Sequence, residues 1–173
     1  MTEAKPVATG VDSDAIIAEV DKLGVTHVIC VPDTFQKILI VKWAEMDRPK
    51  LVRVCTEDEG VGINAGLYMG GAKPMMCIQN NGIFASINTL KAISLDAKVP
   101  TFMLVGQFQR DAMKKIEENK SRAVRMLEPT LEAWGIPYWR IEGPDDIGAL
   151  KLAYERAQQD LGPSVAIIGA PTT

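Results

Sequence analysis

Residues 56–66 read TEDEGVGINAG, so Glu57, Asp58 and Glu59 stand directly before a glycine-punctuated apolar run. Carboxylates can do two kinds of work there. Thr56-x-x-Glu59 has the spacing of a capping box, in which the hydroxyl and the carboxylate each satisfy an exposed helix-end N–H. Glu57 and Asp58 would then add favourable interactions with the helix dipole. Alternatively, one acid holds or passes a proton, a role favoured when burial and neighbouring anions lift its pKa. Phosphate binding by Gly60, Gly62 and Gly66 is disfavoured. Their G-x-G-x-x-x-G spacing is one residue longer than the dinucleotide fingerprint, and three acids would stand where a pyrophosphate needs a positive helix end.

Three more polar stretches follow apolar runs in the same way: Pro32-Asp33-Thr34, Gln79-Asn80-Asn81-Gly82 and Gly106-Gln107-Phe108-Gln109-Arg110. In the plainest reading Asp33 and Asn81 cap helices. Cys30, Cys55 and Cys77 form no CxxC pair, and His27 is the chain's one histidine. No zinc or other metal site is expected from this set. Each cysteine lies at or near the end of a β-like run and reads as a small buried hydrophobe in a reducing compartment.

The elements that must position these residues alternate along the chain. Amphipathic 13–24, capped by Asp12 or Ser13 and stopped by Gly24, reads as a helix. Residues 26–32 read as a strand and 33–46 as a helix with Asp33 as N-cap. Then come strand 50–55, helix 57–71, strand 74–79, helix 81–97 and strand 99–106. The polar 107–126 is expected to be mobile and only partly helical. Helix 129–135 would open on Pro129, followed by strand 136–141, helix 144–162 and strand 163–169. Near-continuous apolar strands alternating with helices imply an α/β fold, a doubly wound parallel sheet covered on both faces. Such sheets bind ligands outside the carboxyl ends of their strands. The loops after Val31, Cys55, Gln79 and Val105 are therefore where function is expected.

The chain has 173 residues, 47% apolar and 24% charged, enough for one soluble domain with a sizeable core. Residues 1–12 are expected to be a disordered tail and 13–173 the domain. A net charge of −3 argues against nucleic acid as a partner. The apolar runs are too short and broken for a membrane span, so a cytoplasmic protein is expected.

The string EDEGVGINAGLYMGGAKPMMCIQNNG, with GVTHVICVPDTF upstream and LEAWGIPYWRI downstream, resembles the pyrimidine-binding (PYR) domain of thiamine-diphosphate-dependent 2-oxo acid decarboxylases. It looks most like sulfopyruvate decarboxylase alpha subunits and the N-terminal half of phosphonopyruvate decarboxylases. The resemblance spans roughly residues 13–169 and implies the thiamine-diphosphate-binding fold of PYR type. In that family a glutamate contacts N1′ of the cofactor's aminopyrimidine and activates it, and position by position Glu59 takes the role. The likeness further implies cofactor contacts from Asn80, Asn81 and Gly82. It places Pro32, Asp33, Thr34, Gln79 and Gln107 on the side of the 2-oxo acid.

The family's Gly-Asp-Gly segment, which holds Mg2+ and the diphosphate, is missing from this sequence. The resemblance therefore implies a beta subunit supplying both, in an α2β2 or higher assembly with the thiamine diphosphate shared between chains. Phe84 and Phe108 stand where relatives carry other residues, and Gly106-Gln107-Phe108 replaces a basic Ser-His-Arg. A less charged or aromatic substrate is expected in consequence. The competing expectations are a non-catalytic regulatory or structural homologue and a free-standing nucleotide- or flavin-binding domain.

Overall fold

The computed structural model describes residues 10–173. Six strands form one all-parallel sheet: β1 (His27–Cys30), β2 (Lys50–Arg53), β3 (Pro74–Gln79), β4 (Thr101–Gly106), β5 (Tyr138–Ile141) and β6 (Pro163–Ile168). Their order is β2-β1-β3-β4-β6-β5. The helices are α1 (Ser13–Lys22), α2 (Lys37–Glu45), α3 (Glu57–Met69), α4 (Asn80–Thr89), α5 (Arg122–Ala133) and α6 (Ala149–Asp160). The expected doubly wound α/β architecture is therefore present.

Strand alternation sorts the core into two layers. Val28, Cys30, Met75, Cys77, Phe102, Leu104, Ala166 and Ile168 face α1, α2 and α6. Their alternates, among them Ile29, Met76, Ile78, Met103, Val105, Val165 and Ile167, face α3, α4 and α5. Because both faces are covered, the strands read as unbroken apolar runs rather than as alternating ones. Every strand points the same way, so all carboxyl-end loops gather on one edge.

Several boundaries differ from the sequence expectation. Helix α5 starts at Arg122, and Pro129 lies inside it. Buried Val124, Leu127, Glu128 and Leu131 recur at helical spacing, while Pro129 faces solvent, where its missing N–H is tolerated. Helix α6 starts at Ala149 after a separate 3-10 turn at Pro144–Asp146. Asp33 is not the N-cap of α2. Its Oδ1 accepts from Phe35 N (2.7 Å) and Gln36 N (2.8 Å), closing the turn before the helix, and Gln36 takes the cap position. Asn81 does not cap α4 either: Gln79 does, and Asn80 Oδ1 accepts from Asn81 N.

The segment after β4 is more ordered than its polarity implied. Buried Asn119 bonds Asp111 N and Lys115 O, and Arg125 Nη1 bonds Asn119 O at 2.6 Å. Cys30 and Cys77 are buried as expected, but Cys55 is exposed. It falls beyond the last paired residue of the edge strand β2, where no second sheet neighbour covers it. The expected tail 1–12 lies largely outside the described residues. At its end Val11 is buried and bridges Thr172, and Asp12 caps α1.

Candidate functional site at the carboxyl edge of the sheet

The winding order of the strands reverses at β1, with β2 on one side and β3 on the other. The loops after β1, β2 and β3 therefore meet at a crevice of the kind that holds ligands in open α/β sheets. Pro32, Asp33 and Thr34 come from the first loop, Glu57–Glu59 from the second and Asn80–Gly82 from the third.

The three acids take three different roles. Thr56 bonds the Asp58 carboxylate, holding it below the usual carboxylate range together with the helix-end N–H groups of Asp58 and Glu59. Glu59 is exposed, and its Oε2 accepts from Cys55 N at 2.9 Å. Only half of the expected capping box forms, one residue upstream, because Thr56 makes no side-chain bond to the helix end. Glu57 is half-buried and runs along the first turn of α4. A Cβ on Gly82 would lie 2.6 Å from Glu57 Oε1 and 2.7 Å from its Cδ, so the close approach needs glycine there. Glu57 accepts no hydrogen bond among the described residues, and it borders the amino end of α4, where a negative charge is favoured.

The loop after β1 and the end of β3 carry buried acceptors without donors. Asp33 Oδ2 and Gln79 Oε1 have no hydrogen-bond partner among the described residues. Burial pushes the Asp33 carboxyl up, and only partly do its bonds from Gln36 and Phe35 pull it back. Gln36, unremarked in the sequence, is fully buried and ties the β1 loop to β3. Its Nε2 donates to Ile78 O (2.7 Å), and Cys77 Sγ donates to its Oε1 (3.3 Å). Asn80 is buried and its Nδ2 donates to Phe108 O (3.2 Å), joining the β3 and β4 loops. Thr34, Pro32 and Asn81 are exposed on the rim.

Gln107 is placed differently from the others. It is fully buried, and its Oε1 accepts from Arg110 Nη1 at 2.6 Å. Arg110 also pairs with Glu142, beyond the end of β5. The loops after β5 and β6 belong to the same edge. The rule about strand ends would have pointed to Glu142 had it been applied to all six strands.

Away from this edge, Gly62 and Gly66 of α3 have nothing among the described residues within 4 Å of where a Cβ would stand. Near them Met69 is 77% exposed. This small-residue face is open to close approach. No helix among the described residues is long and apolar enough to cross a membrane.

Residues 12–126 match the family described as "Thiamine pyrophosphate enzyme, N-terminal TPP binding domain". The chain is 30% identical over 117 residues to a sulfopyruvate decarboxylase of Methanosarcina acetivorans, covering 68% of this chain and 30% of that protein. It is 27% identical over 146 residues to a sulfopyruvate decarboxylase subunit alpha of Methanococcus maripaludis, covering 84% of this chain and 85% of that subunit. Among solved structures, benzoylformate decarboxylase from Polynucleobacter necessarius shares the fold with a TM-score of 0.71 at 22% identity, over 92% of this chain and 30% of that one. The sequence resemblance, the parallel sheet and the family match agree: this chain belongs to the thiamine pyrophosphate enzymes, as an N-terminal TPP binding domain.

Proposed function

We propose that this chain is the alpha-type subunit of a thiamine-diphosphate-dependent 2-oxo acid decarboxylase. In this reading it supplies the carboxylate that serves N1′ of the cofactor's aminopyrimidine. The carrying observation is Glu57, a half-buried acid that accepts no hydrogen bond among the described residues and is laid against Gly82 at the strand-end crevice. The surroundings fit such a ring. Gln79 Oε1 and Asp33 Oδ2 are buried acceptors lacking donors, and an aminopyrimidine brings N–H donors.

When bound, the cofactor supplies the electron sink for the pair released as carbon dioxide leaves. The chain's own residues do the rest. A glutamate holds or returns the proton at N1′, and Gly82 leaves room for it. Asn80 fixes the β3 loop against the β4 loop. Thr34 and Gln79 border the side from which a 2-oxo acid enters. Two acids compete for the proton role. The motif register assigns it to Glu59, whereas geometry favours Glu57, since Glu59 is exposed and already engaged by Cys55 N.

No Gly-Asp-Gly segment occurs in the sequence. A relative of matching length is named a subunit alpha, which supports assigning the diphosphate and Mg2+ to a beta subunit, docked on the open face of α3 in an α2β2 or larger assembly. An exposed unpaired Cys55 beside two buried free thiols fits a reducing cytoplasm.

The test is reconstitution with the partner subunit, thiamine diphosphate and Mg2+, comparing Glu57→Gln with Glu59→Gln. A loss of about 100-fold or more in kcat for Glu57→Gln alone supports the reading. The reverse pattern returns the role to Glu59, and full activity in both variants excludes this loop from the chemistry.

A further inference from the structure

The turn after β4 is built in an unusual way. Phe108 N bonds Gly106 O and Arg110 N bonds Gln107 O, both at 3.0 Å, closing a tight turn. Gln109 sits in it at φ 66°, a left-handed conformation that favours glycine. Strain of this kind persists only where surrounding contacts enforce it. Here the contacts are those of Arg110. Its side chain is 4% exposed, lies over Gly169 where any Cβ would collide with it, pairs with Glu142, and bonds Gln107 Oε1.

Two consequences follow for the crevice. First, the basic group of this turn is withheld from it, since Glu142 neutralises the guanidinium inside the protein. Of the other cations at this edge, Arg140 on β5 is paired with Glu128, Lys37 opens α2 and is exposed, and Arg53 ends β2, three strands from β4, or about 14 Å away. Second, the turn presents Phe108. Its carbonyl is anchored by Asn80, whose neighbours Asn81 and Gly82 lead to Glu57. Phe84, on the first turns of α4, and Phe108 are both only half-buried, and neither packs into the two core layers. Both rings are left out of the core, one on the β4 turn and one on α4, whose first turn lies against Glu57.

We propose that the turn Gln107–Arg110 sets the substrate class. Phe108 walls the pocket for the substrate's side chain, and Arg110, locked onto Glu142, is kept from it, so the enzyme takes a 2-oxo acid with an uncharged, apolar side chain. This inference rests on the decarboxylase reading above. A second anionic group, such as a sulfonate, would be desolvated against Phe108 while Arg110 stays engaged with Glu142. An apolar side chain gains there by leaving water.

The experiment uses the complex reconstituted with its partner subunit, thiamine diphosphate and Mg2+, supplied with 4-methyl-2-oxopentanoate or with sulfopyruvate. Wild type is expected to favour the former by about tenfold or more in kcat/KM, the loss typical of one mismatched apolar contact. Phe108→Ala should raise KM for 4-methyl-2-oxopentanoate more than it lowers kcat. Glu142→Gln, which frees the Arg110 charge, should move the ratio toward sulfopyruvate by about tenfold. As a readout independent of turnover, saturation transfer from the complex to the methyl protons of 4-methyl-2-oxopentanoate should be strong in wild type and weak in Phe108→Ala. Wild-type preference for sulfopyruvate, or a ratio unmoved in both variants, overturns the inference while leaving the decarboxylase reading intact. Absence of turnover on both acids, with no saturation transfer, overturns both.

Discussion

Replacing Gly82 by alanine should separate stability from activity. The added methyl would lie 2.5 Å from Glu57 Cγ, 2.6 Å from Oε1 and 2.7 Å from Cδ. Ordinary carbon contacts are about 3.5–4.0 Å, so the carboxylate must retreat by roughly 1 Å. Glu57 is flexible and half-exposed, so the retreat costs about 0.5–1.5 kcal/mol of rotamer strain. Gly82 is the third residue of α4, and alanine in a helix recovers up to about 1 kcal/mol. The two terms nearly cancel, so the melting temperature should stay within about 4 °C of wild type. Activity should not survive equally well. A misplacement of ~1 Å at a reacting group costs on the order of 100-fold, or about 2.7 kcal/mol of transition-state stabilisation. Thermal melts of the variant chain and kcat of the reconstituted complex decide it. If Gly82→Ala keeps kcat within about threefold while Glu57→Gln is inactive, then the Glu57–Gly82 contact does not position the acid. If the variant melts far below wild type, the energetic argument is wrong.

The cysteines give a chemical check. Burial pushes the Cys30 thiol up to about 11 and Cys77 well above its ordinary value, whereas Cys55 is exposed. A maleimide should therefore label Cys55 alone in the native chain and all three after denaturation; native labelling of Cys30 or Cys77 would contradict the described core. Asp33 gives a pH check. Its folded carboxyl is raised by burial, so the folded state holds this proton more tightly than the unfolded one. The resulting stability is fully present below the ordinary carboxylate range and is lost as pH rises through the raised value. Asp33→Asn should thus gain on wild type in melting temperature from about pH 4 to about pH 7, and a pH-independent difference would show that Asp33 does not titrate this way. Finally, Gln36→Leu should destabilise by about 1–3 kcal/mol in denaturant melts, because Ile78 O and the Cys77 thiol both lose a buried partner; an unchanged midpoint would mean water replaces the amide.

What the sequence disclosed, and what it withheld, divide along one physical line. The strands were readable because burial on both faces fills nearly every position of PMMCIQ and TFMLVG with apolar residues. The helix stops at Gly24 and the cap at Asp12 were readable because they are local hydrogen-bond requirements. Pro129 misled because its effect depends on which face of α5 is buried. That face is set by packing with the sheet rather than by proline's own preference for a first turn.

The site shows the same line more sharply. Residues on a helix are turned by roughly 100° each, so Glu57 and Glu59 point about 200° apart. Motif register alone treats them as near equivalents, two positions apart in one acidic run. What distinguishes them is a glycine on another helix, 25 positions further on, and a backbone amide at Cys55. Arg110 has the same character. The sequence places its cation three residues past Gln107 but does not show its partner, Glu142, 32 residues later, which engages it inside the protein. The local sequence therefore names the chemical groups at this edge, while long-range partners decide which of them a ligand would meet. Substrate class should for that reason respond to Glu142→Gln, a change outside every motif that the resemblance rests on.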